Sequence, residues 1–305
     1  MNGEATRHLG LDLGGTNIKW VVVERSGAEW RSLGRDQVAT PADDGPDAVV
    51  ARLIEVGERA IADWPGIASV GIGVPGLYDP AQGTTRFLVN IPGAWAGKPV
   101  AGPVSAALGL PAALINDARA FGVGELRLGA GRGASSMIGF TLGTGVGGVI
   151  VIDGRVVLGH DGTAGELGHQ TIEPDGPWCG CGNRGCLEAF ARADQIAAIC
   201  GTTTAEEAVE RARAGDALAM EGLAQVGRYL GIGIGNMITA ITPDRVVIGG
   251  GIAAALDMLL PPIRSELTRR VRTTAVDEVE IVSAELGTWA GAIGAAIHGF
   301  EAAGQ

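Results

Sequence analysis

Cationic residues are scarce in this 305-residue chain. It has 23 lysines and arginines against 34 aspartates and glutamates, a formal net charge of -11 at pH 7. Nucleic-acid backbones and anionic membranes are bound chiefly through lysine and arginine, so a broad surface of either kind is disfavoured. Any phosphate group that the protein binds should therefore be held locally.

Cysteine and long apolar runs are also limited. The chain has four cysteines, and its length allows two compact cores that need no disulfide staples. The first ten residues show no cationic segment leading into an apolar stretch, so we expect a cytoplasmic protein, in which stable disulfides are disfavoured. The longest charge-free stretch, 133–152, is broken by glycine, serine and threonine, unlike a membrane helix. The sequence predicts a soluble protein.

Glycine, by contrast, is abundant, and it clusters after predicted strands. There are 51 glycines, well above the typical share of about 7%. The stretch HLGLDLGGTNIKWVVVERSG predicts a strand ending at Asp12, a turn at Gly14–Thr16, a second strand and a turn at Ser26–Gly27 before a third strand. SSMIGFTLGTGVGGVIVIDGRVVLG repeats the plan, with a turn at Gly143–Gly145 and a two-residue hairpin at Asp153–Gly154 leading into a strand to Leu158. This repetition predicts an internal duplication, with two similar α/β domains facing each other across a cleft.

The remaining segments fit that α/β plan. Apolar spacing predicts a helix over 43–63, a buried strand at IASVGIGV, a strand at PAALIND that ends at Asn116–Asp117, and a strand at RVVIGGG. Helices are predicted from about Asp194 to Ala240, interrupted near Gly201, and again at AGAIGAAIHGF. We expect one domain to comprise residues 1–117 plus about 290–305, and the other to comprise 118–289.

Glycine turns after strands are common phosphate cradles, because glycine permits positive φ and close approach of backbone N–H groups. For any single turn, a plain tight hairpin is an equal alternative. Residues 143–148 match G-x-G-x-x-G, but a strand follows them where a dinucleotide fold needs a helix, so that reading is rejected. The motif G-x-x-x-x-G-K-[ST] is absent, which excludes a P-loop enzyme.

Three of the four cysteines lie within WCGCGNRGC, at Cys179, Cys181 and Cys186. The spacing C-x-C is too short for a C-x-x-C redox motif. A structural zinc site needs four ligands. Counting the available ligand residues leaves either His169 or Cys200 as the fourth. Cys200 ends the apolar stretch IAAIC, where a buried free cysteine is common.

Seven motifs in order resemble those of the ROK family of sugar kinases and repressors. They are LDLGGTNIK, GIGVPG, NDA, TLGTGVGGV, GELGH, CGCGNRGCLE and VVIGGG. The resemblance covers nearly the whole chain and implies an actin-like ATPase (ribonuclease H-like) fold. Within the family the likeness is greatest to ATP-dependent glucokinases, which implies phosphorylation of the glucose 6-hydroxyl with ATP, Mg²⁺ and a structural Zn²⁺.

Other functions stay open at this stage. N-acetylmannosamine, fructose, N-acetylglucosamine and allose are alternative sugars within the same chemistry, and a non-catalytic sugar-sensing regulator is an alternative of another class. The repressors of the family carry an N-terminal helix-turn-helix region, for which only eleven residues precede Asp12. The polyphosphate-using relatives tend to lack the zinc cysteines, so ATP is the expected donor. Family members are commonly dimers or tetramers, and we expect a homodimer or homotetramer.

The resemblance also implies residue roles, which phosphoryl transfer makes chemically reasonable because it requires alignment, charge neutralisation and a base. Asp117 would be the general base. Asp12 would orient hydrated Mg²⁺. Arg119 departs from the family, which often has asparagine there.

The remaining implied roles concern binding. The phosphate loops would be Gly14, Gly15, Thr16, Gly143, Thr144 and Gly145, and the adenosine-side loop Gly249, Gly250 and Gly251. The sugar ligands would be Asn90, Asn116, Asp117, Glu166, His169 and Glu188. The zinc ligands would be His169, Cys179, Cys181 and Cys186.

Overall fold

A computed structural model describes residues 5–304 as an α/β structure. The strands within this range are β1 (Thr6–Leu13), β2 (Asn17–Ser26), β3 (Glu29–Ala39), β4 (Ile67–Val74), β5 (Gly76–Asp79), β6 (Thr84–Leu88), β7 (Lys98–Pro99), β8 (Ala112–Asn116), β9 (Met137–Leu142), β10 (Val146–Ile152), β11 (Arg155–Val156), β12 (Arg245–Gly250) and β13 (Glu280–Ser283). The helices are α1 (Pro46–Asp63), α2 (Ala101–Leu108), α3 (Asp117–Leu128), α4 (Glu188–Ala191), α5 (Ala193–Cys200), α6 (Ala205–Arg213), α7 (Ala217–Ile241), α8 (Leu256–Arg270) and α9 (Ala290–Ala303). Within 5–304, no helix combines the length and the apolar character that crossing a membrane requires.

Two five-stranded sheets carry the same strand plan. Their orders are β3-β2-β1-β4-β8 and β11-β10-β9-β12-β13. In each, the strand before the glycine turn pairs antiparallel with the strand after it and parallel with a strand from later in the chain. The predicted duplication is therefore present in the topology of the sheets. The cleft between the two halves stays a prediction.

The described residues form two compact units. The first contains 5–132, 158–164 and 288–304, and the second contains 133–157 and 165–287. This division differs from the predicted one, because residues 118–132 and 158–164 lie with the first unit. The reason is the packing of α3 on α9, where a Cβ on Gly294 would lie 1.7 Å from the carbonyl oxygen of Ala120. Backbones this close make the two helices one packed layer.

Helix α9 also lies directly on the first sheet. A Cβ on Gly10 would lie 1.8 Å from the carbonyl oxygen of Ala292, and one on Gly71 would lie 1.7 Å from that of Ala295. Side chains at these glycines would push the helix off the strands, so the clustered glycines allow close approach of helix and sheet. The first turn of α9 is thereby brought beside the end of β1.

Each unit has its own core. In the first unit, α1 buries Val49, Leu53 and Val56 against strand residues such as Leu9 and Ile72. Their i, i+4, i+7 spacing is that of an apolar helix face. In the second unit, α5, α6, α7 and α8 pack with the strands around the fully buried Phe140 and Ile248.

Local predictions and structure agree closely at the hairpin and differ at several ends. Asp153 and Gly154 have φ of 52° and 68°, the two positive values of a type I′ turn. The strand that follows ends at Val156 rather than Leu158, because the chain there leaves the sheet to form a closed loop. Helix α1 begins at Pro46 rather than 43, after a 3-10 turn over Ala42–Asp44. The small sheet β5-β6-β7 was not predicted.

Candidate functional site

Asp12 lies at the end of β1 in the first unit, in a space that two glycines leave open. It pairs with Gly73 of β4, where a Cβ would lie 3.3 Å from Asp12 Oδ1, and a Cβ on Gly291 would lie 2.7 Å from Oδ2. Burial, and next the nearby Asp117 carboxylate, raise the pKa of Asp12 to about 7, while Lys19 opposes this rise. A cation bound here would favour the ionised carboxylate.

Asp117 is the first residue of α3, and Asn116 fixes its position. Asn116 Oδ1 accepts hydrogen bonds from the N–H groups of Ala118 and Arg119 at 3.0 and 3.2 Å, and Nδ2 donates to the carbonyl oxygen of Gly76 at 3.1 Å. This is an N-cap, and it occupies most of the amide's hydrogen-bonding capacity. The side chain expected to bind sugar thus first serves to hold the helix start.

The first glycine turn joins β1 to β2 across four residues, since Leu13 pairs with Ile18. The Thr40 hydroxyl donates to the carbonyl oxygen of Gly14 at 2.7 Å. A Cβ on Gly15 would lie 2.6 Å from the carbonyl oxygen of Asn90. Neither Gly14 nor Gly15 has a positive φ, so close approach of the Asn90 backbone is what Gly15 permits.

Asn90 and Thr16 are both exposed beside this turn. Asn90 has φ of 61°, a left-handed conformation that asparagine tolerates better than most residues and that is enriched at functional sites. The first unit therefore brings together Asp12 with Asp117, and the glycine turn with Asn90.

The second glycine turn, in the second unit, is one residue shorter, since Leu142 pairs with Val146. Glu188 supports it from α4: its Oε2 accepts the N–H of Val146 at 2.9 Å and would lie 2.6 Å from a Cβ on Gly145. Thr144 is exposed. In both turns the threonine lies two residues before the first paired residue of the next strand, which places Thr16 and Thr144 correspondingly.

The third glycine cluster follows the neighbouring strand. Gly249 of β12 pairs with Thr141 of β9, and Gly250 has φ of 88°, with a Cβ there lying only 2.1 Å from the carbonyl oxygen of Leu142. Here a positive φ does require glycine. A surface cavity of about 470 Å³ begins two residues after Gly251; it is lined by Arg213, Ala253, Ala254, Leu256, Asp257, Ser283 and Ala284.

The cysteine loop places four ligand atoms around one point. Cys179 Sγ lies 3.6 Å from His169 Nδ1, and Cys181 Sγ lies 3.7 Å from Cys186 Sγ. All four ligand atoms lie within 4.8 Å of one another. A tetrahedral zinc ion with Zn–S of about 2.3 Å and Zn–N of about 2.0 Å has ligand–ligand edges of about 3.8 and 3.5 Å. The four residues therefore fit a zinc ion of closed tetrahedral coordination.

Cys200 lies elsewhere. It is fully buried in the core of the second unit, where its Sγ donates to the carbonyl oxygen of Ala219 at 3.7 Å. The alternative that local spacing left open is resolved by tertiary structure: the fourth member of the cluster is His169.

Main-chain hydrogen bonds shape the cysteine loop itself. The N–H of Cys179 donates to the carbonyl oxygen of Asn183 at 2.8 Å. Gly185 has φ of 67°, and a Cβ there would lie 1.5 Å from the carbonyl oxygen of Glu173. Burial raises the pKa of the Cys179 and Cys186 thiols, so a metal ion must displace their protons on binding.

Glu166 and His169 lie on one side of a 3-10 turn, Leu167–His169, because residues three apart align in such a helix. His169 Nε2 is 3.9 Å from Glu166 Oε2, while Nδ1 is 4.0 Å from Glu188 Oε1. The imidazole thus presents Nδ1 to the cysteines and Nε2 to Glu166. Sequence reasoning missed Thr40, which holds the first turn, because a lone threonine carries no recognisable signal.

The chain matches the ROK family model over residues 8–299. It is 34% identical to a glucokinase of Thermotoga maritima, over 94% of this chain and 95% of that protein. Among solved structures, a ROK hexokinase from Thermus thermophilus superposes with a TM-score of 0.85 at 35% identity, covering 98% of this chain and 99% of that one. A ROK glucokinase from Streptomyces griseus in complex with glucose and AMPPNP gives a TM-score of 0.79 at 31% identity, covering 97% and 99%.

A regulator is also similar to this chain. The xylose repressor of Bacillus subtilis is 28% identical over 96% of this chain, which matches 77% of the repressor. These comparisons confirm the predicted actin-like ATPase fold, and they agree with the duplicated sheets. With a family model that spans nearly all of its residues, the chain belongs to the ROK family.

Proposed function

We propose that the protein is an ATP-dependent sugar kinase that transfers a phosphoryl group to the 6-hydroxyl of glucose. The observation that carries this proposal is the carboxylate pair of the first unit. Asp12 lies near the carboxyl end of β1, and Asp117 directly follows β8, which β4 separates from β1 in the sheet. The two carboxylates are close enough for Asp117 to raise the pKa of Asp12. Two such groups supply what phosphoryl transfer needs from carboxylates: a base, and an acceptor of hydrogen bonds from the waters of hydrated Mg²⁺.

Asp117 is the proposed general base. As the sugar oxygen bonds to the γ-phosphorus and the bond to the ADP oxygen breaks, the Asp117 carboxylate accepts the hydroxyl proton. The Asn116 cap holds the start of α3, so the position of the base relative to its strand is fixed before substrate binds.

Asp12 is the proposed Mg²⁺ residue. Mg²⁺ keeps several of its waters and is usually bound through one or two carboxylates together with substrate phosphates, whose charge it neutralises. With a pKa near 7, Asp12 carries a proton for part of the time in the absence of a cation. Its role here is to hold the hydrated ion by hydrogen bonds once it is ionised.

The glycine turns are the proposed phosphate loops. The N–H groups of Gly14 and Gly143 donate within their own turns, to the carbonyl oxygens of Asn17 and Gly145. The remaining N–H groups of Gly14–Thr16 and Gly143–Gly145 and the exposed threonine hydroxyls are the proposed anion donors, which need no added lysines. This fits a chain with a net charge of -11. The adenosine part of ATP is assigned to the loop Gly249–Gly251 and to the cavity that follows it.

The zinc site is proposed to be structural. Four protein ligands leave no position for a reactive water, so the ion would hold the cysteine loop and His169 in place. With Nδ1 toward the metal, Nε2–H is the free donor of the ring. It lies beside Glu166. The proposed sugar ligands are Asn90, Asn116, Asp117, Glu166, His169 and Glu188.

A kinase assay over a panel of hexoses, with ATP and polyphosphate as alternative donors, tests this proposal. We expect ADP release to be fastest with glucose and the product to be glucose 6-phosphate by ³¹P and ¹³C NMR. Faster turnover of N-acetylmannosamine, fructose, N-acetylglucosamine or allose would reassign the sugar. Glucose binding without any phosphorylation would favour a sugar-sensing regulator and refute the kinase.

A further inference from the structure

Arg119 is a buried cation that the proposed chemistry does not use. Its side chain is only 2% exposed, and it is the largest of the fully buried side chains. It lies in the first turn of α3, two residues after Asp117. Burying a guanidinium destabilises the fold unless its N–H groups are hydrogen-bonded. The hydrogen-bond partners of Arg119 therefore identify a segment that it stabilises.

Three hydrogen bonds of Arg119 go to main-chain carbonyls of the 158–164 loop, the short segment that belongs to the first unit. Arg119 Nε donates to the carbonyl oxygen of Ala164 at 3.0 Å, and Nη2 donates to those of Ala164 and Thr163, both at 2.8 Å. The planar fork of arginine makes these bonds together, which the single ammonium of lysine does not reproduce. One side chain therefore fastens the loop to the first turn of α3.

Within the 158–164 loop, further hydrogen bonds close the chain on itself. The N–H of Ala164 donates to the carbonyl oxygen of Leu158 at 3.1 Å, and Asp161 accepts from the Thr163 hydroxyl at 2.6 Å. Gly159 and Gly162 have positive φ, and glycine gives the unanchored chain many alternative conformations. The loop continues through Gly165, with φ of 96°, directly into Glu166.

We propose that Arg119 is a positioning residue for sugar binding, which holds the main chain immediately before Glu166 against the helix that begins at Asp117. This inference rests on the proposed function, since it takes Glu166 as a sugar ligand and Asp117 as the base. Without the anchor, the loop must be ordered when sugar binds, and that entropy cost weakens sugar affinity. ATP affinity has no such dependence.

The test compares Arg119→Lys and Arg119→Gln with the wild type, using Michaelis constants for glucose and ATP and hydrogen exchange of the 158–166 segment. We expect the glucose KM to rise at least about tenfold, as for the loss of charge-assisted hydrogen bonds. The ATP KM should stay within about twofold, and kcat should fall less than the glucose KM rises. Exchange at 158–166 should be faster, and Lys should retain more glucose affinity than Gln.

Two matched variants serve as controls. Arg86 pairs with Asp161 of the same loop, at 3.7 Å and on the surface, and exposed pairs contribute little. Arg86→Lys should therefore leave the glucose KM unchanged. The Tyr78 hydroxyl is buried and has no hydrogen-bond partner within residues 5–304, although Arg119 is near enough to lower the Tyr78 pKa against the larger effect of burial. Tyr78→Phe should also leave KM unchanged, which separates the anchor from general packing around it.

The outcomes are distinct. An unchanged glucose KM with unchanged exchange would overturn the proposal. A fall in kcat alone, matching a loss of folded protein by calorimetry, would also overturn it, because a purely structural role predicts that result. If the wild type phosphorylates no hexose, the proposed function fails instead, and the exchange measurement still decides whether Arg119 anchors the loop.

Discussion

The two glycine turns share a strand plan but differ in what surrounds them. In the first, Asp12 stands two residues before Gly14; in the second, the residue two before Gly143 is Thr141. Asp12 pairs with Gly73 and Thr141 pairs with Gly249, so the two positions correspond in the sheets. One copy of the plan thus ends in a titratable carboxylate and the other in a neutral hydroxyl.

Their supports differ in the same way. The first turn is held by the Thr40 hydroxyl and the Asn90 backbone, whereas the second is held by the Glu188 carboxylate, whose other oxygen is 3.5 Å from Cys179 Sγ. The two turns share a backbone plan, but different side chains pack against them. These side chains give each turn a different chemical environment. In the proposed function both copies bind phosphate, and the first also supplies the base and the Mg²⁺ carboxylate. The second has no such carboxylate at the corresponding strand position, and Glu188 connects its turn to the cysteine loop.

The largest expected effect follows from removing the proposed base of the first unit. Asp117→Asn should lower kcat by about 10³-fold, within the range of general-base contributions, while zinc content and thermal stability remain close to wild type. Asp47, also in the first turn of a helix of the same unit, provides the matched control, and Asp47→Asn should retain full activity. Undiminished turnover of Asp117→Asn in a coupled ADP assay would remove the assignment.

The next effect concerns the metal loop of the second unit, where two fully buried cysteines form a matched pair. Cys186→Ala should abolish zinc binding, measured by elemental analysis, and should destabilise the second unit by several kcal/mol because metal affinity contributes to folding. Cys200→Ala should keep one zinc per chain and lose only about 1 kcal/mol from a small cavity. Full zinc in Cys186→Ala together with loss in Cys200→Ala would refute the His169 assignment.

A smaller effect tests the carboxylate that only the first turn has. Folding raises the pKa of Asp12 to about 7, so the stability supplied by its neutral form is present below its unfolded pKa and is lost as pH rises toward 7. Asp12→Asn cannot ionise. In metal-free protein its unfolding free energy should be close to wild type near pH 4 and exceed it by about 4 kcal/mol at pH 8, although activity is lost. Parallel urea-unfolding curves for the two proteins across this range would contradict the raised pKa.

The smallest effect compares equivalent glycines. A Cβ on Gly15 would press on the Asn90 carbonyl at 2.6 Å, whereas a Cβ on Gly143 would meet no described atom within 4 Å other than those of its chain neighbours. Gly15→Ala should cost about 1–3 kcal/mol of stability, and Gly143→Ala should change it by no more than about 0.5 kcal/mol. Both stability changes are measured by chemical denaturation. Equal destabilisation by the two substitutions would mean that the two turns are equally enclosed, which would contradict the difference between them.

Much of the fold was predictable because its signals are local. Alternating apolar strands, Asp153–Gly154 and the small-residue helix at the C-terminus are all readable from spacing within about ten residues. The short strands β5, β6 and β7 were missed, since two to five residues are too few to show a period. The domain division was misplaced because α3 belongs with α9, and that contact joins residues 170 positions apart, such as Gly124 and Gly294.

The candidate site shows the same contrast between local signals and long-range contacts. Residue types and motif order predicted which residues belong to the site. That Asn116 caps a helix and that Glu188 supports the second turn is visible only in the tertiary structure. Each depends on which backbone N–H groups a side chain meets, and sequence spacing does not specify this.

The sequence by itself determined the duplicated strand plan, the positions of the glycine turns and three of the four proposed zinc ligands. For the fourth ligand, local spacing left His169 and Cys200 open and the family resemblance implied His169; the structure places His169 with the three cysteines. Tertiary structure alone decided that Asp12 and Asp117 interact and that Arg119 holds the 158–164 loop. The physical reason is the distance along the chain over which each interaction acts. Periodicity and turn chemistry act between neighbours in the chain, whereas burial, charge coupling and a buried guanidinium's choice of carbonyls depend on groups that only folding brings together.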